Sequence, residues 1–201
     1  MTDTTELRPL PPGKWDVSLA SIIDDMGGRP LAVHGLLANH PALLKAWWNI
    51  RNHTVTGGDL GLRNVELVIL RVALHMKNWY EWGSHVQRGL AAGLTETDIE
   101  RVKSGPGDRG WPDSDRLLLR AVDELVEIRA ISAQTMAALK AHFSEQQILD
   151  LIVTHGAYVI LGCMLNTWDV ELDDHVASEL PDNVGRGAFE KELSGNKNGG
   201  A

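Results

Sequence analysis

Residues Arg63 to Leu94, RNVELVILRVALHMKNWYEWGSHVQRGLAAGL, constrain this chain more than any other stretch. They open with an almost uninterrupted apolar run, Val65 to Met76. That length suits a buried helix and exceeds an ordinary strand. The run carries one carboxylate, Glu66, near its start. Asn78 follows as a natural helix N-cap, and Glu81 three residues on resembles the partner of a capping box. A helix from Trp79 to about Ala92 makes Glu81 and His85 i,i+4 neighbours whose side chains can meet. Its apolar arc holds Trp79, Trp82, Val86 and Leu90, with His85 on the border.

The rest of the chain agrees with a helical protein. Pro9, Pro11, Pro12 and Gly13 make residues 1–14 an extended arm, either disordered or laid over a neighbour. A short helix over 15–26 stops at Gly27, Gly28 and Pro30. Leu31 to Ala38 and Ala42 to about His53 are spaced as helices, separated at His40-Pro41. Thr95, Ser114, Ser132 and Ser144 read as caps of four later helices, and Gly93 as a C-cap. The last of these helices, Glu145 to Asn166, is apolar nearly all round and is expected to be buried. Glycine, asparagine and charge dominate from about Asp182, which suggests a mobile tail. No segment alternates with period two, so the expected class is all-α. The expected organisation is an arm and short helix over 1–29, one helical domain over 30–180 and a flexible tail over 181–201.

Composition excludes several classes. The 201 residues carry a net charge of −8, with Lys and Arg scattered, which disfavours nucleic-acid and anionic-membrane partners. No uninterrupted apolar run reaches the roughly 18 residues of a membrane span. The proline-rich N-terminus lacks the apolar stretch of a secretory signal. Cys163 is the single cysteine, which rules out an intrachain disulfide and a Cys-x-x-Cys pair. A reducing cytoplasm fits these features.

Glu66 among Val65, Leu67, Val68, Ile69 and Leu70 is costly to bury unless paired, and burial would raise its pKa toward a useful range. Its structural alternative is a first-turn acid favoured by the helix dipole. Capping alone could account for Glu81, but not for His85, which has its own alternative as a satisfied boundary histidine. His155 is a secondary candidate inside the last helix. Cys163 reads as a small buried hydrophobe. The spacing of His34 and His40 does not suit a metal, and Asp169, Asp173, Asp174 and His175 read as a solvated acidic segment. Trp79 and Trp82 are core or the walls of a small pocket. An antiparallel hairpin would leave Glu66 about 15 Å from the turn, far beyond Glu81, so convergence of the three residues calls for a kinked or crossing arrangement.

The run ELVILRVALHMKNWYEWGSH, followed by Gly93-Leu94-Thr95, resembles the carboxymuconolactone decarboxylase family, which includes the alkylhydroperoxidase AhpD. His40-Pro41, Trp47 and Leu165-Asn166-Thr167 through Leu172-Asp173 extend the likeness over roughly residues 30–175. In the peroxide-reducing branch two cysteines stand at the positions of Asn78 and Glu81, with a histidine at that of His85 and a glutamate at that of Glu66. Both thiols are missing here, and thiol-based peroxide reduction needs an attacking and a resolving sulfur. The resemblance thus implies the decarboxylase side: an all-helical AhpD-like bundle, forming a homo-oligomer that is a trimer or a multiple of one. It implies cofactor-free acid–base chemistry on a small unsaturated carboxylic acid or lactone, as in aromatic-compound catabolism. His85 would move the proton, Glu81 would orient and charge-tune it, and Glu66 would be a second acid or a neutral hydrogen-bond donor. Arg51, Arg63, Arg71 and Arg88 are the candidate counter-charges for an acidic substrate. A non-catalytic helical oligomer that binds a ligand or partner is the alternative, and an antioxidant peroxidase the weaker one.

Overall fold

The computed structural model describes residues 7–181 and 183–195, and among these there is no strand. In chain order the helices are α1 (Ala20–Asp25), α2 (Ala32–Leu37), α3 (Pro41–Val55), α4 (Leu62–His75), α5 (Trp79–Ala91), α6 (Glu96–Ser104), α7 (Asp113–Glu127), α8 (Ala133–Leu139), α9 (Glu145–Thr167), α10 (Asp174–Ala177) and α11 (Arg186–Gly195). The helices form a single helical domain, as expected from the sequence. At its centre α4 packs against α5, α7 and α9. Val65, Leu67, Val68, Ile69, Leu70 and Val72 are each at most 1% exposed. Burying side chains of this size contributes about 1.5–3 kcal/mol apiece, so the apolar run is the core itself.

The connection from α4 to α5 is as short as geometry allows. Lys77 takes a left-handed conformation, φ +51°, and its N–H bonds the Leu74 carbonyl while that of Asn78 bonds Ala73. This is a Schellman C-cap with a lysine where glycine is usual. Asn78 then caps α5 by accepting from the Glu81 N–H at 2.7 Å. Its amide donates to Asn166 of α9 at 2.6 Å.

Thr95, Ser132 and Ser144 cap α6, α8 and α9. Ser114 does not cap α7; the helix begins at Asp113 after Pro112, and Ser114 lies inside its first turn. The arm is laid over its own chain: the Leu10 N–H bonds the Gly35 carbonyl at 2.9 Å. A Cβ on Gly35 would lie 2.7 Å from the Leu10 oxygen, so glycine is what permits this approach.

Two expectations about the C-terminal third need correction. Helix α9 is not buried all round: Leu149, Ile152, Val153 and Ile160 are exposed, and so is Cys163. It is also long and apolar enough on average to cross a membrane, with just under half of its most apolar window buried. The expected tail over 181–201 contains α11, whose Phe189 is 4% exposed and packs on the rings of Trp79 and Trp82. One buried aromatic and an Arg186 paired to Asp169, Glu171 and Glu190 hold a segment whose composition looked unstructured. Residues 196–201 lie outside the described residues.

Candidate active site

The three singled-out side chains meet. His85 Nδ1 lies 2.6 Å from Glu66 Oε2, and its Nε2 lies 3.3 Å from Glu81 Oε2. No kink is needed. In the hairpin, the level of Glu66 on α4 corresponds to about residue 88 on α5, three residues or roughly 4.5 Å from His85. Side-chain reach covers that gap. The imidazole then spans onward to Glu81, which no Glu66 carboxylate could reach directly. All three residues are at most 5% exposed.

Burial opposes a charge on His85. The negative field of Glu66 and the bonds from Glu66 and Glu81 outweigh it, and the pKa rises above the usual imidazole value. The shorter contact assigns the Nδ1 proton to Glu66. In neutral His85 the free lone pair is therefore on Nε2, beside Glu81. The Glu81 carboxylate turns to this imidazole rather than back to the cap: Asn78 alone caps α5, and no reciprocal box forms. Tyr158 of α9 sits edge-on to the His85 ring, 4.9 Å between centroids at 87°.

A pocket opens beside these groups, enclosing about 410 Å³ that is partly continuous with solvent. Glu81, Ser84, His85 and Arg88 form one stripe of α5 along it; α2 and α3 supply His34, Trp47 and Arg51. Glu66 does not line it and stands behind His85. The opposite face of α5 carries Trp82 and Val86 into the core. Trp79 and Trp82 therefore face Phe189, and the tryptophan that walls the pocket is Trp47.

Partners separate the four arginines. Arg63 binds Asp115 through two bonds, 3.1 and 2.7 Å, and Arg71 binds Asp123 at 2.6 and 2.9 Å. Arg51 and Arg88 line the pocket, and among the described residues neither forms an ion pair. The Arg51 guanidinium stacks over Trp48 at 4.7 Å, whose indole N–H is anchored on Asp25 at 2.8 Å. Burial, and next the charge of Arg88, pulls the Arg51 pKa below its usual value. Two nearby cations without counter-ions suit an anionic ligand.

Several site residues escaped the sequence. Ser84 and Arg88 share the i, i+3, i+7 stripe with Glu81 and could have been found from that spacing. His34, Tyr80 and Tyr158 had no local signal. Tyr80 donates to Asp173 at 2.7 Å and accepts from the Val33 N–H; it fixes α2 against α5. Asp173, which also takes the Ala32 N–H at 3.1 Å, is thus a structural clamp rather than a solvated acid. His155 stays outside the pocket lining, and its Nε2 has no partner among the described residues. No group of three or more His, Cys, Asp or Glu among the described residues is arranged to hold a metal.

Residues 41–104 match the model of the carboxymuconolactone decarboxylase family. No curated protein matches the chain. Solved structures share the fold. An Agrobacterium tumefaciens protein of unknown function, linked by its description to antioxidant defence and AhpD, is 23% identical with a TM-score of 0.62, covering 68% of this chain and 94% of its own. A peroxidase-related protein with an AhpD core from Ralstonia eutropha JMP134 is 16% identical at a TM-score of 0.71, covering 85% and 93%. The debrominase Bmp8, as a cysteine-to-alanine variant in complex with 2,3,4-tribromopyrrole, is 9% identical at a TM-score of 0.71, covering 95% and 98%. The family match thus covers the site-bearing stretch from α3 to α6, about a third of the chain, and the fold shared with these structures extends over the rest.

Proposed function

We propose that the protein is a cofactor-independent lyase or isomerase that moves a proton on a small unsaturated carboxylic acid or lactone. The observation that carries this is one imidazole held between two buried carboxylates at the edge of a pocket whose two arginines form no ion pair among the described residues. Arg51 and Arg88 would seat the substrate carboxylate. Neutral His85 would take a proton from carbon at Nε2, and Glu66 would stabilise the imidazolium that forms. The electron pair left on carbon delocalises into the adjacent carbonyl as an enolate. Returning the proton at another carbon isomerises the substrate. Alternatively, loss of CO2 leaves the pair, and His85 donates the proton that quenches it. Glu81, in contact with Nε2, would orient the ring and tune its basicity.

Bmp8 binds a planar five-membered ring in this fold, which supports a ligand of that size. The peroxidase alternative is weakened by Cys163, which is exposed on α9 and outside the pocket lining.

Incubating small dienoic acids and unsaturated lactone acids in D2O, with NMR detection of deuterium uptake and CO2 release, tests the proposal. Enzyme-dependent exchange that His85→Ala abolishes is the expected result. Exchange that survives His85→Ala, or none with any member of the panel, refutes it.

A further inference from the structure

Two residues of the pocket wall each carry a polar atom that has no partner among the described residues, Ser84 Oγ and His34 Nδ1, although both residues are at most 5% exposed. A buried hydroxyl on a helix ordinarily returns to a carbonyl four residues back. Thr54 does so to Ile50 at 2.9 Å. Ser84 makes no such bond. Nor is it an activated nucleophile, because among the described residues its Oγ has no hydrogen bond to His85 or to any other base. His34 lies edge-on to Trp48, 5.5 Å between ring centroids at 76°. Burial, followed by the charges of Arg51 and Arg88, lowers its pKa to about 3. It therefore presents a neutral ring to the pocket at any physiological pH.

Unmet buried polar groups are rare in folded proteins, and for two that belong to one pocket wall the pocket's occupant is the natural partner. We infer that Ser84 and His34 form a neutral oxygen-binding subsite, distinct from the Arg51–Arg88 pair, that accepts a carbonyl or hydroxyl oxygen of the substrate. The inference rests on the same pocket as the proposed function and narrows its substrate class to a small acid bearing a second, uncharged oxygen: an oxo acid or a lactone acid. A carbonyl oxygen would accept from the serine hydroxyl and from His34 Nδ1–H. The carboxylate would go to the arginines, where the opposite charge lies. A plain dienoic acid would leave Ser84 and His34 unmatched.

Three probes separate the subsites by binding alone, read from tryptophan fluorescence or calorimetry: 5-oxotetrahydrofuran-2-carboxylate, cyclopentanecarboxylate and γ-butyrolactone. The native protein should prefer the lactone acid to cyclopentanecarboxylate by about tenfold or more, the discrimination that buried hydrogen bonds to one oxygen supply. Ser84→Ala, which a helix tolerates well, and His34→Leu should each shrink that ratio and leave cyclopentanecarboxylate affinity unchanged. Arg88→Met should weaken both acids equally and γ-butyrolactone little. Equal affinity for the two acids in the native protein, an unchanged ratio in both variants, or no binding of any probe would overturn the subsite. No turnover is measured, so the subsite can fail while proton transfer at His85 stands, and the reverse.

Discussion

Replacing Glu66 by glutamine isolates what the carboxylate behind His85 contributes. The change keeps size and hydrogen-bonding capacity and removes only the charge at the 2.6 Å contact. A buried hydrogen bond to a charged group is worth about 1.5–3 kcal/mol. Losing it lowers the His85 pKa, because the Glu66 charge and hydrogen bond offset the burial that opposes the imidazolium. The native His85 is raised above its unfolded value, so its stabilising share is complete below the unfolded imidazole pKa and fades as pH rises through the folded one. Glu66→Gln should therefore destabilise more at pH 6 than at pH 9. NMR titration of the His85 ring protons and denaturant unfolding at the two pH values measure both effects. Because Glu66 does not line the pocket, kcat should fall while KM stays near its native value. An unchanged His85 titration, or a rise in KM with kcat preserved, would refute the assignment of Glu66 as the residue that charges the imidazole.

Glu81→Gln should abolish activity with little change in Tm, because Asn78 caps α5 without help from the Glu81 carboxylate; Asn78→Ala should lower stability by about 1–2 kcal/mol, measured by thermal and denaturant melts. His34, with its folded pKa near 3, takes up no proton while the unfolded chain does, so stability falls as pH drops below about 6.5. His34→Leu should reduce the loss between pH 8 and pH 5 by about 2 kcal/mol, and parallel pH–stability curves for the two proteins would contradict it. Light scattering should give a homo-oligomeric mass rather than the 22.1 kDa of one chain, because Leu149, Ile152, Val153 and Ile160 leave an apolar stripe of α9 uncovered; a monomer at micromolar concentration would count against it.

The features legible in the sequence were those that depend on near neighbours. The Asn78, Thr95, Ser132 and Ser144 caps need only a residue three positions on. The burial of α4 needs only its own run of aliphatics, and Glu81 and His85 share a face by spacing. What escaped depends on distant partners. Nothing local tells Arg63 and Arg71 from Arg51 and Arg88; the neutralising Asp115 and Asp123 each lie 52 residues beyond their arginine. Phe189 looks like a lone aromatic in a polar tail until Trp79 and Trp82 offer it a surface. The apparent distance between Glu66 and His85 came from comparing each with the turn, when helices in a hairpin must be compared level with level.

The Lys77–Asn78 connection also acts as a phase lock. Asn78 closes one helix and opens the next, and it is pinned to α9 as well, so no slack residue lies between Glu66 on one side and Glu81 and His85 on the other. One residue added or removed there would rotate α5 by about 100°. The stripe bearing Glu81, Ser84, His85 and Arg88 would swing toward the core, and Trp82 would turn toward the pocket. The loop between α6 and α7 supplies no residue to the pocket, so a change of length at its exposed Arg109 would not turn that stripe. Engineered insertions should therefore divide sharply: a single glycine after Lys77 ruins function, while several placed near Arg109 are absorbed.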